Sequence, residues 1–205
     1  MQTHLYTHDL PEDIDWGGSV AIDTETMGLQ HHRDRLCLVQ LSAGDGHCHL
    51  VHFPEPCFGQ SPHLCKLLAN DHLEKVFHYG RFDLAVLAKS FGIVPHNVYC
   101  TKIASRLTRT YTDRHSLKSL CADLLGIDVD KREQTSDWGG EVLSPEQLRY
   151  AGTDVLYLHA IKEKLDALLV RENRLALAQA CFRFLPHRAE LDLLAGEGFD
   201  IFAHK

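Results

Sequence analysis

Ser19-Val-Ala-Ile-Asp-Thr-Glu25 is the stretch on which the fold of this chain turns. It follows a Gly-Gly pair, is apolar and β-branched at its start, and so predicts a strand. Side chains alternate along a strand, so Asp23 and Glu25, two positions apart, project to the same side. Two carboxylates on one face repel unless something cationic sits between them. An isolated pair of this kind is usually a solvated strand end. Here Ala21-Ile22 makes the preceding strand look buried, which brings the acids out at the rim of a core, where metal sites are built.

Outward from this strand, Leu36-Cys-Leu-Val-Gln-Leu-Ser and Cys48-His-Leu-Val-His-Phe alternate and flank Gly44-Asp-Gly, predicting a hairpin. Three early strands thus follow one another. Helical periodicity then takes over, with helices expected over Pro62–Leu68 and Arg81–Phe91, a short strand at Lys75-Val-Phe-His, and further helices over 102–107 and 117–125. Ser144-Pro-Glu-Gln147 is the clearest helix start: Ser144 as N-cap, Pro145 at the first helical position and Gln147 closing a capping box. That helix is expected to run to about residue 170. A last one, over 172–195, is expected to be interrupted at Pro186. With no linker, repeat or low-complexity tract, the chain reads as a single α/β domain with strands first and helices mostly afterwards.

Composition narrows the function. The 205 residues, 44% hydrophobic and 24% charged, describe an ordinary globular chain, and 28 acidic against 21 basic residues give a net charge of -7. That sign is wrong for gripping long nucleic acid through many phosphates, so a nucleic-acid substrate is expected to be short or held through metal. No apolar stretch approaches the 18 to 20 residues or so of a membrane span, and no basic segment with an apolar core opens the chain. Seven cysteines, never spaced as C-x-x-C, fit reduced thiols in a cytoplasm. His47-Cys-His49 is too compact for a tetrahedral zinc site.

Further candidates lie downstream. Asp83 opens the helix that follows the Lys75 strand, where the macrodipole alone would favour it. Tyr150 and Asp154, at i and i+4 on the capped helix, share a face beside an apolar stripe of Ala151, Val155 and Leu158. Taken singly, that pair reads as a core tyrosine and a structural ion pair.

Taken together, Asp23-Thr-Glu-Thr-Met-Gly-Leu29, His78-Tyr-Gly-Arg-Phe-Asp83 and Tyr150-Ala-Gly-Thr-Asp154 resemble the three motifs of the DEDDy 3′-to-5′ exonucleases, in the right order. The resemblance covers about residues 18–170, and Gln134-Thr-Ser-Asp-Trp138 resembles the segment before the third motif in the RNase D group. It implies an RNase H-like α/β fold, a mixed sheet flanked by helices. It also implies one exonuclease domain over 1–205, with a helical extension from about 171 and no HRDC domain, most like the short nano-RNase C group. Two divalent cations, Mg²⁺ or Mn²⁺, are implied, which oxygen-only ligands favour over zinc. Asp23 would bridge both, Glu25 and Asp154 would complete the first site, and Asp83 would hold the second through water. Tyr150 would orient or help activate the attacking water. Thr24, Leu29, His78, Gln134 and Trp138 are the implied substrate contacts, Leu29 as a wedge between bases. Core or loop-packing roles compete at Leu29, His78 and Trp138. Arg33, Arg35, Arg106, Arg109, Arg114 and Lys118 offer phosphate contacts, though most are expected to be merely solvated.

The expected activity is hydrolysis of short RNA, above all dinucleotides, to nucleoside 5′-monophosphates, in a ring-shaped homo-oligomer, by resemblance an octamer. A general RNase D-like trimming enzyme for longer RNA or DNA ends is the rival within enzymes. An inactive binding or scaffold module is the rival outside them, and the intact four-acid set argues against it, since a scaffold gains nothing from carboxylates that repel.

Overall fold

The computed structural model describes residues 1–129, 136–196, 198 and 200–204. Six strands, β1 (Gln2–Thr7), β2 (Ser19–Thr26), β3 (Leu36–Ser42), β4 (His47–His52), β5 (Glu74–Phe77) and β6 (Val98–Cys100), form one sheet in the order β1-β4-β3-β2-β5-β6. The predicted hairpin is present, with β3 antiparallel to both β2 and β4. The β1–β4, β2–β5 and β5–β6 pairs are parallel, making the sheet mixed. All seven residues of β3 are buried, the polar Gln40 and Ser42 among them, because both faces of this central strand are covered.

Among the described residues seven helices surround the sheet: α1 (Pro62–Leu68), α2 (Arg81–Phe91), α3 (Thr101–Thr108), α4 (Leu117–Leu120), α5 (Pro145–Leu156), α6 (Leu158–Arg171) and α7 (Leu175–Ala195). A π-turn over Cys121–Leu125 follows α4 and stops at Gly126, whose φ of 70° is left-handed. Most of the core is one large cluster spread over the sheet and α2, α6 and α7. A smaller cluster of Cys37, Leu38, Leu50, Trp138, Leu143 and Ala151 lies where α5 covers β3 and β4. The close approach there depends on Gly152: a Cβ would come within 2.9 Å of Met1 Sδ and 3.4 Å of Cys48 Cβ. Cys48 Sγ donates to the Gly152 carbonyl at 3.1 Å, joining the helix to the sheet at the same point.

Four sequence expectations need correcting. β1 and β6 were not foreseen: β6 has only three residues, and β1 is an edge strand whose parallel partner, β4, lies 45 positions on. The single helix expected from Ser144 to about 170 is two, redirected at Tyr157 (φ -101°, ψ -2°). No Gly or Pro marks that break; α5 packs on the sheet while α6 packs on α3, and the two directions differ. Pro186 does not interrupt α7, because Phe182, Leu185 and Ala189 are buried around it and their packing outweighs the hydrogen bond a proline lacks. The capping box at Ser144 is formed as read, with Ser144 Oγ accepting from Gln147 N at 3.1 Å and Gln147 Oε1 accepting from Ser144 N at 2.8 Å.

All seven cysteines are free, and among the described residues no helix is long and apolar enough to cross a membrane. The long helix α7 reaches back to the start of α2 through Asp192, whose side chain is wholly buried. Arg81 grips it with Nε at 2.5 Å and Nη2 at 2.7 Å, and Arg188 adds a bond of 2.8 Å. This clamp holds the first residue of the helix that carries Asp83. Asp192→Ala should therefore lower the unfolding free energy by about 3 kcal/mol, read by denaturant titration, because it leaves two guanidinium groups around an empty buried position. A loss below 1 kcal/mol would show that α7 is not anchored through this carboxylate.

Candidate active site

The site assembles where three elements meet. Asp23 and Glu25 lie on one face of β2 near its C-terminal end, with a shift of register against β3 between Glu25 and Thr26. Asp154 comes from α5 overhead. One carboxylate oxygen from each of Asp23, Glu25 and Asp154 lies within 4.8 Å of the others. Asp83, in the first turn of α2, approaches from the other side of the strand and is 3% exposed. It accepts a hydrogen bond of 2.7 Å from Thr24 Oγ1, the residue between the two strand acids. Gly80 makes this approach possible, since a Cβ there would sit 2.7 Å from Phe77 Cβ.

Burial and proximity act on these acids together. Asp23 is held protonated well above the usual carboxylate range, first by burial and then by Asp83, Asp154 and Glu25. Burial, then Asp154 and Asp83, push Glu25 up to about 9. Asp83 is raised to about 7 by burial, with the Thr24 hydrogen bond pulling the other way. The Tyr150 hydroxyl is raised as well, by burial and by Asp154 and Glu25, and Asp154 accepts its hydrogen bond. It stays protonated at neutral pH. A wholly oxygen donor set, too close to ionise alone, fits hard divalent cations, which supply the missing positive charge.

Asp23, Glu25, Tyr150 and Asp154 line a cleft of about 550 Å³ whose walls include Met27, Leu29, His78, Tyr79, Phe82, Lys102, Ser116 and Trp138, with Asp83 buried beneath it. Leu29 is 76% exposed at this cleft, so the competing reading of a buried strand-end leucine is wrong. His78 Nδ1 is 2.9 Å from Thr101 Oγ1. Trp138 is 2% exposed and stands behind Tyr150, ring centroids 6.1 Å apart, where it sets the tyrosine's position. The Thr24 hydroxyl is committed to Asp83, and Gln134 lies outside the described residues. Among the six proposed phosphate contacts, Arg35 bonds the carbonyls of Phe53, Pro54 and Gly139, while Arg109 and Arg114 hold Asp123. Arg33 pairs with Asp34, and Lys118 with Asp128 at 3.3 Å. Arg106 lines a neighbouring groove instead.

Sequence reasoning missed Tyr79 and Lys102. Tyr79 carries a left-handed φ of 65° without being glycine, a strained backbone held at the cleft, and Lys102 Nζ lies 4.3 Å from its ring centroid. Tyr79 stands inside the quoted second motif, but no propensity rule foresees its conformation.

A mixed sheet with acids converging from β2, α2 and α5 defines a 3′-5′ exonuclease domain. The pattern of the 3′-5′ exonuclease family matches residues 6–169, and the chain belongs to that family. Ribonuclease D of Gluconacetobacter diazotrophicus is 35% identical over 156 residues, 76% of this chain and 39% of its own; the chain thus spans well under half of that relative. Brucella melitensis NrnC, solved with bound Mg²⁺ and bound to pGG, is 50% identical with a TM-score of 0.93 in both forms, each chain covering the other completely. Escherichia coli RNase D, 26% identical with a TM-score of 0.74 over 84% of this chain and 45% of its own, shares the fold.

The raised acids set a pH dependence. A carboxyl whose pKa is higher folded than unfolded binds more protons in the native state, so stability falls as pH rises between the two values. Without divalent cations the melting temperature should therefore drop from about pH 4.5 to about pH 9, the window set by Glu25. Glu25→Gln should flatten this slope and melt higher than the wild type at pH 8, and Mg²⁺ should raise the wild type in the same range. A metal-free stability that climbs through this window would contradict the arrangement.

Proposed function

We propose that this chain is a divalent-cation-dependent 3′-to-5′ exoribonuclease that hydrolyses short oligoribonucleotides, above all dinucleotides, to nucleoside 5′-monophosphates. The observation that carries the reading is the convergence of Asp23, Glu25 and Asp154 oxygens within 4.8 Å of one another on the floor of the cleft. Asp23 would bridge two cations, Mg²⁺ or Mn²⁺, with Glu25 and Asp154 completing one site and Asp83 reaching the other through water. The depth of Asp83 and its bond to Thr24 favour that indirect role. Bound there, the cations supply an activated water and charge stabilisation for the leaving 3′-oxygen.

The chain's own groups position the rest. Tyr150 donates its hydroxyl to Asp154, and it would orient or help activate the attacking water. Leu29 presents an exposed apolar edge between bases, and His78 and Trp138 bound the same cleft. Lys102 is the lysine or arginine among the described cleft-lining residues, set in a chain of net charge -7, which favours few phosphate contacts and a short substrate. The pGG-bound relative supports two nucleotides as the preferred length. A ring-shaped homo-oligomer belongs to the same reading. The exposure of Ile201 and Phe202 supports contact between copies; Phe199 lies outside the described residues. Seven free thiols support action in the cytoplasm.

Two outcomes test this. Tyr150→Phe should lower kcat by about 10² while the binding of short RNA changes little; equal losses in rate and binding would mark a structural tyrosine. In timed digests of 5′-labelled RNAs of about two to twenty nucleotides, kcat/KM should be highest for the dinucleotide, fall with length, show a shallow salt slope and vanish with chelator. A flat or rising profile with steep salt dependence would favour a tail-trimming enzyme, and no turnover at any length would favour a scaffold.

A further inference from the structure

Gln40 lies in the middle of β3 and is fully buried, yet neither its Oε1 nor its Nε2 has a hydrogen-bond partner among the described residues. Buried amides left unpaired are costly and uncommon in native interiors. The strand register shows where this one is aimed. In the antiparallel β2–β3 pair Gln40 stands directly opposite Asp23, as Leu38 stands opposite Glu25. Direct partners share a sheet face, with Cβ atoms about 4.5–5.5 Å apart. Across from Gln40 on β4 is Leu50, part of the apolar cluster with Leu38, Trp138 and Ala151. The polar neighbour two positions along β3, Ser42, is engaged elsewhere, donating to the His47 carbonyl at 2.7 Å. Asp23 is therefore the polar side chain that the register sets beside the Gln40 amide.

We propose that Gln40 is a positioning residue for Asp23. Its Nε2–H donates to the Asp23 carboxylate, directly or through one water, in the cation-bound chain, and so fixes the orientation of that carboxylate. Ligating carboxylates are characteristically held by such outer hydrogen bonds, and removing one weakens metal binding by about 10- to 100-fold. The inference rests on the cation-dependent reading above and adds to it a residue outside the acidic set, placed by the sheet and not by the cleft, which Gln40 does not line.

The test is calorimetric titration of the whole chain with Mg²⁺, alongside its melting temperature without divalent cations. Gln40→Met keeps length and bulk but no polar atom; it should raise the Mg²⁺ dissociation constant about 10-fold or more and leave the metal-free melting temperature equal or higher. Gln40→Asn keeps an amide one methylene short and should lose Mg²⁺ affinity in the same direction. An unchanged dissociation constant in Gln40→Met, with the wild type binding normally, overturns the positioning role and leaves the cation reading standing. Failure of both variants to fold also overturns it, since the amide would then belong to the fold. A wild type that takes up no Mg²⁺ overturns both.

Discussion

Negative charge brought together against its own repulsion is the constraint around which this structure is built. Asp23, Glu25 and Asp83 are each raised by burial, and the charge of the neighbouring acids, Asp154 among them, adds to the effect, so the metal-free site is an unfavourable arrangement that the rest of the molecule has to sustain. The supporting elements are those with the most packing behind them. β2 lies between β3 and β5, deep in the sheet. Helix α5 sits close on the sheet because Gly152 lets it approach. Helix α2 begins at Arg81, held to α7 by the buried Asp192. Each acid thus stands on an element whose apolar burial offsets the electrostatic cost, and the proposed cations would relieve it.

The same economy shapes the cleft. Most arginines that the sequence offers as phosphate ligands are spent on backbone carbonyls or on aspartates, where they tie loops to the sheet. Positive charge near the acids is therefore sparse, with Lys102 laid against the Tyr79 ring. Under the proposed function, such a cleft would lean on metal for affinity, and the metal would contact only the phosphate being cut. Length of substrate would then add little binding energy, which ties the chain's net charge of -7 to the short substrate proposed for it.

Chemistry close in sequence was legible without coordinates. Alternation along β2 placed Asp23 and Glu25 together, the i, i+4 spacing placed Tyr150 beside Asp154, and the capping box marked the start of α5; all three arise within a few residues, where backbone geometry alone dictates direction. Resemblance to known motifs then joined the four acids, which no local rule could do.

What only the tertiary structure decided depends on partners far apart in the chain. The split at Tyr157 follows from two different surfaces beneath α5 and α6, and the passage of α7 through Pro186 follows from the packing around it. Leu29 is exposed, Trp138 is buried behind Tyr150, and Asp83 is sunk beneath Thr24, although all three sit in motifs read with equal ease. Gln40 looked like an ordinary residue of a hairpin strand until its register set it opposite Asp23. Residue type and spacing determine which groups can reach one another along a single element. Whether such a group meets solvent, a carboxylate or an aliphatic wall is set by the elements packed across from it, and those contacts form between residues that the sequence keeps dozens of positions apart.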